Sequence, residues 1–322
     1  MIGARRVIGV DLGGSKILAG AVDPALGVHR RVRRPVEGLG QRALLELAVE
    51  VVTEARESDG ADAGAVGFGL PALVQSDSGR VEVGVHTPLA DLAFADAMAE
   101  RLGLPVFVDN DGNAAALAEH RAGAARGARD ALVLTLGTGI GAGLILGGEL
   151  YRGARGGAGE VGHMEIDFDG EPDGDNCPGQ GCAELFASGR ALVREAQRLA
   201  SERPDSALAR AVASGRGLTG PAVTELAHDG DPAAIEAVRL IGARLGVVIT
   251  SLVNLLNPEL VVVGGGVIAA GELLLAPARE VVERRTLPFL RERLRIVPAR
   301  FGVEAGMIGA AALAYDGLAA AG

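Results

Sequence analysis

The stretch VIGVDLGGSKILAGAV, residues 7–22, decides how this chain folds. It has the pattern of an apolar strand, a glycine-rich turn that carries one acid, and a second apolar strand. A second corner of the same kind is LVLTLGTGIGAGLIL, residues 132–146. Glycine turns at the ends of buried strands let backbone N–H groups approach phosphate oxygens closely. The two stretches therefore predict a nucleotide-phosphate clamp that is built by two lobes facing each other.

The composition favours a globular protein and excludes several other classes. Of 322 residues, 48% are hydrophobic and 22% are charged, which suits two domains with a sizeable core. The formal net charge of -10 argues against a nucleic-acid partner, which normally meets a basic patch. The sequence enters a strand without an apolar signal segment, and its most apolar stretch, 245–256, is shorter than the roughly 20 residues of a membrane span. We therefore expect a cytoplasmic protein with no nucleic-acid or membrane partner.

The hydrophobic pattern divides the chain into two α/β halves. In the first half it predicts strands at 6–12, 17–22, 28–34, 65–70 and 106–108, and helices at 41–57 and 91–102. In the second half it predicts strands at 131–136 and 260–263, an irregular stretch at 152–183, and helices at 188–202, 206–215, 219–229, 232–256 and 304–320. Both halves begin with a strand, a glycine turn and a strand. We therefore expect a duplicated lobe with a cleft between, in which 1–112 plus 304–322 form the smaller lobe and 113–303 the larger one.

The first glycine turn is DLGGSK, residues 11–16, and it contains the only lysine of the chain. The turn resembles a Walker A loop, but Ser15 precedes Lys16 and a strand pattern follows where a helix would be needed. A phosphate-binding hairpin fits better, with Asp11 at the strand end, where its carboxylate would hold Mg²⁺ through water. An ordinary tight hairpin with an aspartate turn residue is the alternative.

Two further glycine clusters fit a nucleotide site. The segment GTGIGA, residues 137–142, has a Rossmann-like spacing, but it continues as a strand and does not open a helix. It is therefore predicted to be a second phosphate hairpin. The segment VVVGGG, residues 261–266, is a strand that ends in three glycines. It predicts either a flat seat for a purine or a plain strand-to-helix turn.

The segment VDNDGN, residues 108–113, lies between an apolar strand and a helix pattern. One interpretation is a helix cap with Asn113 at the N-cap position. A cap needs only one such residue, however, and here Asp109 and Asp111 flank an asparagine. Like charges this close raise the pKa of one carboxyl group, which suits a general base.

Two loop segments predict a metal site. Glu160 and His163 lie three residues apart among glycines, which let a ligand approach the backbone. Cys177 and Cys182 flank a tight turn, and with His163 they supply three Zn²⁺ ligands, to which Asp175 would add a fourth. Two free buried thiols are the alternative.

In this order and spacing the motifs resemble the ROK family, which comprises bacterial sugar kinases and repressors. The resemblance spans nearly the whole chain and rests on DLGGSK, VDNDGNAAALAE, LTLGTGIGAGLI, GGAGEVGHM, CPGQGCAE, VVVGGG and AGMIGAAALA. It implies an α/β fold of the two-lobed actin-like ATPase type (ribonuclease H-like) with a deep interdomain cleft. It also implies an ATP-dependent kinase that phosphorylates the 6-hydroxyl of glucose and assembles as a homodimer or homotetramer.

The resemblance implies a role for individual residues. Asp111 matches the catalytic base that takes the proton from the hexose hydroxyl. The positions that match sugar contacts are Gly69, Asn110, Asp111, Glu160, His163 and Glu184. Those that match the Mg²⁺ and ATP site are Asp11, Gly13, Gly14, Ser15, Lys16, Gly137, Thr138, Gly264, Gly265 and Gly266. His163, Cys177 and Cys182 match three structural zinc ligands, and Asp175 stands where the family usually has another cysteine.

Several alternatives stay open at the level of sequence. The same chemistry on fructose, mannose or N-acetylmannosamine would use the same contacts, and polyphosphate or ADP would be other phosphoryl donors. A repressor or a non-catalytic sugar sensor would bind sugar without phosphorylating it. ROK repressors carry a helix-turn-helix region before the kinase-like part, whereas Asp11 lies near the start of this acidic sequence. We therefore expect an enzyme.

Overall fold

The computed structural model describes residues 5–57, 63–84, 87–174, 177–215 and 217–321. Within these residues the strands are β1 Val7–Leu12, β2 Lys16–Val22, β3 Val28–Pro35, β4 Val66–Leu70, β5 Ala72–Val74, β6 Val81–Gly84, β7 Ala90–Leu92, β8 Val106–Asn110, β9 Ala131–Leu136, β10 Ile140–Leu146, β11 Glu149–Tyr151, β12 Pro172–Gly174, β13 Cys177–Gln180, β14 Leu260–Gly264 and β15 Arg295–Pro298. The helices are α1 Gln41–Glu57, α2 Phe94–Leu102, α3 Asp111–Ala122, α4 Glu184–Ala187, α5 Gly189–Glu202, α6 Ala207–Ala213, α7 Gly220–His228, α8 Pro232–Leu256, α9 Glu272–Arg285, α10 Pro288–Arg291 and α11 Ala305–Ala321.

Two sheets of the described chain share one strand order. The first runs β3-β2-β1-β4-β8 and the second runs β11-β10-β9-β14-β15. In each sheet the first three strands are sequential neighbours, and two later strands join in parallel on the other side of the first strand. The duplicated lobe predicted from two strand–glycine turn–strand patterns is therefore confirmed at the level of topology.

The elements form where the hydrophobic pattern predicts them. Helix α1 has the predicted bounds, because Leu44, Leu45, Ala48, Val51 and Val52 recur at helical spacing and are all buried. Strand β1 is apolar on both faces and is buried almost throughout, as expected of a central strand that is covered on both sides. The predicted strands of the first sheet and the long helix α8 are likewise confirmed to within about two residues of their ends.

Helix α11 lies directly against the backbone of the first sheet. A methyl group on Gly9 would lie 2.0 Å from Met307 O, and one on Gly67 would lie 1.8 Å from Ala310 O. Both distances are far inside van der Waals contact, so a side chain at either strand position would push the helix away. Glycine is therefore required at the two positions for the helix to pack where it does.

Helix α8 is the longest helix of the described residues. By length and composition it could cross a membrane, but 56% of its apolar window is buried inside the protein. It packs against α5, α7 and α9. The apolar stretch at 245–256 is the second half of this helix, and its burial confirms the interpretation as a core element.

The structure divides into two compact units. Unit 1 comprises residues 1–129, 143–159 and 303–322, and unit 2 comprises residues 130–142 and 160–302. The boundary differs from the predicted one at residue 112, because α3 packs against α11 and so joins unit 1. The pattern also missed the small sheet β5-β6-β7, the hairpin β12-β13, and three elements beyond residue 267, namely α9, α10 and β15.

Candidate active site

The first glycine turn closes a hairpin between β1 and β2. Gly13 N donates to Lys16 O at 2.8 Å, and Asp11 pairs with Leu18 just inside the turn. The first turn of α11 lies against this acid, since a methyl group on Gly306 would lie 2.7 Å from Asp11 Oδ1. Burial raises the pKa of Asp11 to about 6, and the charge of Lys16 opposes that rise. Asp11 is therefore a partly desolvated carboxyl group whose ionised form a cation would stabilise.

The register of the first sheet brings further predicted residues to the same place. Gly69 in β4 lies between Asp11 in β1 and Asp109 in β8. Asn110 ends β8, and Asp111 begins α3, with its Cα 3.6 Å from where a methyl group on Gly69 would lie. These strands are parallel, so all of these residues sit at carboxyl ends, where α/β sheets bind their ligands. The structure thus brings Asp11, Gly69, Asn110 and Asp111 together in unit 1.

Asn110 caps helix α3. Its Oδ1 accepts from Gly112 N at 2.8 Å and from Asn113 N at 3.3 Å, and its Nδ2 donates to Ala72 O at 3.3 Å. The interpretation of Asn113 as the N-cap is therefore wrong. The helix starts earlier because Asn110 itself has extended backbone angles, as an N-cap residue does.

Asp109 is compensated by an arginine that the sequence patterns did not single out. Its Oδ2 accepts from Arg152 Nε at 2.7 Å, and its Oδ1 accepts from Asn113 Nδ2 at 2.8 Å, while the side chain is only 5% exposed. Asp109 and Asp111 are therefore not the isolated like-charge pair that their spacing predicted. Asp111 instead has one oxygen, Oδ1, bonded to Gly112 N at 2.8 Å.

The second glycine turn is fastened to the start of helix α5. Gly137 N donates to Gly139 O at 3.0 Å across the turn, and Gly189 N donates to Gly137 O at 2.8 Å. The backbone N of Arg190 donates to Thr138 O at 3.4 Å. A methyl group on Gly189 would lie 2.5 Å from Gly137 O, so this close approach depends on glycine.

A cavity of about 440 Å³ opens beside this turn, within unit 2. The third glycine cluster reaches it because Gly265 has a positive φ of 81° and packs against the end of β9, where a methyl group would lie 2.4 Å from Leu136 O. Gly264 ends β14 beside Thr135. Residues that line the cavity include Gly137, Thr138, Gly189, Arg190, Arg194 and Gly266. Glycine backbone beside the apolar side chains of Val193, Pro221 and Val267 suits a flat ligand such as a nucleoside that carries phosphate.

Three predicted sugar contacts lie in unit 2. His163 Nε2 lies 3.9 Å from Glu160 Oε2. Burial raises the pKa of Glu160, the charge of His163 opposes that rise, and the charge of Glu184 adds to it. Glu184 is buried, with Oε1 accepting from Arg190 Nη2 at 2.6 Å and Oε2 from Ile140 N at 3.2 Å. The structure thus brings Glu160, His163 and Glu184 together, in a different unit from Asn110 and Asp111.

His163 and three neighbouring side chains have the geometry of a metal site. The ligand atoms of His163, Asp173, Cys177 and Cys182 all lie within 4.8 Å of one another. The two sulfur atoms are 3.8 Å apart, and His163 Nδ1 lies 3.2 Å from Asp173 Oδ2. Two thiolates at about 2.3 Å from a tetrahedral zinc ion would have about this sulfur separation. Among the described residues, Asp173 is therefore the carboxylate of the cluster, and the predicted ligand Asp175 lies outside them.

Two features of the cluster suit a cation. Asp173 Oδ1 is buried and accepts no hydrogen bond within the described structure. Burial, together with the neighbouring Cys177 and Asp173, raises the pKa of the Cys182 thiol to about 12. A thiol with this pKa stays protonated at neutral pH, whereas a bound metal ion would remove the proton and satisfy the carboxylate.

Comparison with known proteins identifies the class of this chain. Residues 7–316 match the family described as the ROK family, and the chain belongs to it. A glucokinase from Streptomyces coelicolor is 35% identical over 313 residues, which are 96% of this chain and 97% of that protein. The crystal structure of a ROK family glucokinase from Streptomyces griseus, in complex with glucose and AMPPNP, is 36% identical and superposes with a TM-score of 0.88. The match covers 97% of this chain and 99% of the Streptomyces griseus chain.

The same fold also serves regulators. A ROK family transcriptional regulator, described as a homologue of the E. coli MLC protein, is 27% identical with a TM-score of 0.85, and the match covers 96% of this chain and 78% of that one. The α/β actin-like ATPase fold predicted from the sequence is therefore confirmed. The two sheets with the same strand order agree with this fold.

Proposed function

We propose that this protein transfers the γ-phosphoryl group of ATP to the 6-hydroxyl of glucose. The observation that carries the proposal is the gathering of Asp11, Gly69, Asn110 and Asp111 at the carboxyl ends of β1, β4 and β8. The likeness to glucokinases over nearly the whole chain supports the same conclusion.

Asp111 is the proposed general base. Phosphoryl transfer requires two substrates held in line, screening of the phosphate charge, and a group that accepts one proton from the attacking hydroxyl. The bond from Gly112 N to Asp111 Oδ1, and the position of Asp111 in the first turn of α3, orient this carboxylate. The proton of the 6-hydroxyl would pass to Asp111 as the oxygen attacks.

Asp11 and the first glycine turn are the proposed Mg²⁺ and phosphate site of unit 1, and the second glycine turn with its cavity is the proposed nucleotide site of unit 2. Mg²⁺ would be held by Asp11 through water, and it would supply charge neutralisation on the phosphates. The raised pKa of Asp11 supports this role, because a carboxyl group that is costly to ionise alone gains from a cation beside it. The proposed phosphate contacts of unit 1 are Gly13, Gly14, Ser15 and Lys16, and those of unit 2 are Gly137 and Thr138. The cavity near Gly264, Gly265 and Gly266 would take the nucleoside.

Glu160, His163 and Glu184 are the proposed sugar ligands of unit 2. A buried carboxylate and an imidazole accept and donate the hydrogen bonds that fix a hexose by its ring hydroxyls. The two bonds that already orient Glu184 support a preorganised acceptor, which need not be ordered again when sugar binds.

Zinc is the proposed ion of the cluster His163, Asp173, Cys177 and Cys182. Two sulfurs, one nitrogen and one oxygen are a ligand set that zinc accepts in tetrahedral geometry. Its structural role would be to hold His163 in place by Nδ1 and so present Nε2 on the side of Glu160. Asp173→Asn should lower the zinc content of the purified protein measured by plasma mass spectrometry, whereas Asp169→Asn in the same loop should not. Equal zinc in both variants would contradict the assignment of Asp173.

The test of the activity is an ADP-release assay with Mg-ATP, run on glucose, fructose, mannose and N-acetylmannosamine. Glucose should give a kcat/KM at least about tenfold above the others, a difference of about 1.4 kcal/mol in the transition state. Preference for another hexose would keep the kinase chemistry and change the substrate. Sugar binding without turnover on any of them would contradict the proposal and favour a sensor. Homo-oligomerisation and a cytoplasmic location stay predictions.

Asp111→Asn tests the base directly. Turnover should fall by about a thousandfold, because removal of a general base costs this order, while the Kd of glucose should change only a few fold. Asp96→Asn is the matched control, since Asp96 also lies in the first turn of a helix, α2, and is not among the proposed site residues. Near-normal kcat in Asp111→Asn would exclude Asp111 as the base.

A further inference from the structure

The buried carboxylate of Asp109 fastens the start of helix α3. Its Oδ1 accepts from the backbone N of Asn110 at 2.8 Å and from Asn113 Nδ2 at 2.8 Å. The side chain of Asn113 belongs to a fully buried residue, and Asn110 is the N-cap of α3. The proposed base Asp111 lies between these two residues. A single oxygen of Asp109 therefore holds the chain on both sides of the base.

Arg152 sets the orientation of that carboxylate. Its Nε donates to Asp109 Oδ2 at 2.7 Å, and the Asp109 side chain is only 5% exposed. A charge-assisted bond of this length is about twice as strong as a neutral one. Because a carboxylate is planar, a bond that fixes Oδ2 also fixes the directions in which Oδ1 accepts. Arg152 therefore acts on the start of α3 through Asp109, although it is not part of the helix.

The backbone on both sides of Arg152 is fixed within unit 1. Arg152 directly follows strand β11, which pairs with β10, and Ala158 N donates to Arg152 O at 3.1 Å. The loop between Arg152 and Ala158 lies against β5, where a methyl group on Gly156 would be 2.0 Å from Val74 O. Arg152 therefore reaches Asp109 from a backbone that is held at both ends, as the supporting shell of a precise site requires.

We infer that Arg152 is a positioning residue for phosphoryl transfer, which acts through Asp109 on the alignment of Asp111. The inference rests on the proposed function, since it takes Asp111 as the base. Loss of the bond from Arg152 releases Asp109 Oδ2, so the carboxylate can turn and give up its bonds to Asn110 and Asn113. The start of α3 then shifts, and Asp111 loses its alignment with the attacking hydroxyl. The chemical step should therefore suffer more than the binding of either substrate.

Arg155 provides a matched control in the same loop. It lies three residues after Arg152, its side chain is 78% exposed, and its Nη2 is 3.9 Å from Glu82 Oε1. Arg152→Met and Arg155→Met remove the same charge and the same donors from one segment. Among the described residues, the first variant breaks a bond to Asp109 and the second breaks this long surface ion pair.

The experiment combines steady-state kinetics on glucose and Mg-ATP with calorimetric titration of glucose into the full chain. Arg152→Met should lower kcat by about a hundredfold, the order that a misplacement of about 1 Å costs. It should keep the wild-type stoichiometry of glucose binding, with the Kd of glucose raised by less than about tenfold and KM for ATP by less than about twofold. Arg155→Met should keep the wild-type kcat. Arg152→Lys should recover part of kcat, since its ammonium keeps the charge but lies beyond the position of Nε.

A double-mutant cycle tests the route through Asp109. Asp109→Asn should itself lower kcat, and adding Arg152→Met to it should cost less than about threefold further. A further loss as large as in the wild-type background would overturn the inference, because Arg152 would then act without Asp109. Full recovery in Arg152→Lys would also overturn it, since charge alone would then suffice.

Other outcomes separate the inference from the proposed function. The inference alone is overturned if Arg152→Met keeps the wild-type kcat, or if Arg155→Met loses as much. It is overturned as well if the stoichiometry of glucose binding falls as far as kcat does, because the variant then contains unfolded protein and not a misaligned base. If wild-type protein itself transfers no phosphate to glucose or another hexose, the proposed function fails and the inference fails with it.

Discussion

The two glycine turns of this protein have the same topological position but differ in the charged side chains that they carry. Each follows the first strand of a sheet, β1 in one case and β9 in the other. The first turn carries its own charges, Asp11 and Lys16, whereas the second, Gly137-Thr138-Gly139, carries none and is held by backbone hydrogen bonds from the start of α5. The comparison indicates that the two halves share the backbone geometry of the turn and differ in whether the turn carries charged side chains.

The largest expected effect is at the charged turn. Asp11→Asn should lower kcat/KM for Mg-ATP by about a hundredfold to a thousandfold. The proposed metal contact neutralises phosphate charge, and this stabilises the transition state by several kcal/mol. Steady-state kinetics at saturating glucose measure this. A loss no greater than that of a substitution at the second turn would remove the distinction between the two turns.

The next effect concerns the stability of the protein without metal or nucleotide. The pKa of Asp11 is 3.8 in the unfolded chain and about 6 in the folded protein. Between pH 3.8 and about 6 the folded protein therefore binds a proton that the unfolded chain has already lost. Stability is therefore lost as the pH rises from about 4 through about 6. Asp11→Asn cannot ionise, so relative to wild type its free energy of unfolding should gain about 3 kcal/mol at neutral pH and little at acid pH. Urea denaturation in EDTA across this range measures the difference, and a difference independent of pH would contradict the shift.

Two glycines of the second turn should separate sugar from nucleotide binding. A methyl group on Gly139 would lie 2.1 Å from Glu184 Oε2, whereas one on Gly137, which lines the cavity, would meet no atom within 4 Å. Gly139→Ala should therefore raise KM for glucose, and Gly137→Ala should raise KM for ATP, each by about tenfold, since small misplacements at a site are costly. The same change in both KM values for both variants would refute this division.

The smallest effect is expected from the side chain of the second turn. Thr138→Val keeps the shape and removes one hydroxyl group, so KM for ATP should rise only about threefold to tenfold, the value of one ordinary hydrogen bond. Kinetics at varied ATP measure it. A loss as large as that of Asp11→Asn would mean that the second turn acts through its side chain, and not through its backbone.

Periodic and local features of this fold were predictable from the sequence. Helix α1 and strand β1 depend on the spacing of apolar residues, which the sequence displays directly. Strands β5, β6 and β7 have only three or four residues each, too few for alternation to stand out. Helix α9 contains Pro277, which the sequence pattern favours as a break, although the structure accommodates it within a helix.

The parts of the site that depend on distant pairing were not predictable. Arg152 compensates Asp109 from 43 residues away, and no local motif marks the arginine. Asp173 joins the described metal cluster because the hairpin β12-β13 brings it to the thiols, a pairing that no local motif marks, and the predicted ligand Asp175 lies outside the described residues. Arg190 follows a conventional helix start, where Ser188 is the N-cap, and no local motif marks its hydrogen bond to Glu184.

The first turn also concentrates a reactivity that is absent elsewhere in the sequence. Lys16 is the only lysine among 322 residues, and it begins β2 directly after the turn. Side-chain acylation by acetyl donors or amine-directed probes therefore has a single target, and that target lies five residues from Asp11. One modification would remove a positive charge at the phosphate turn and nowhere else. Because lysine acylation would act on this single position, each molecule would carry either an acylated or an unmodified Lys16, with no partly acylated forms.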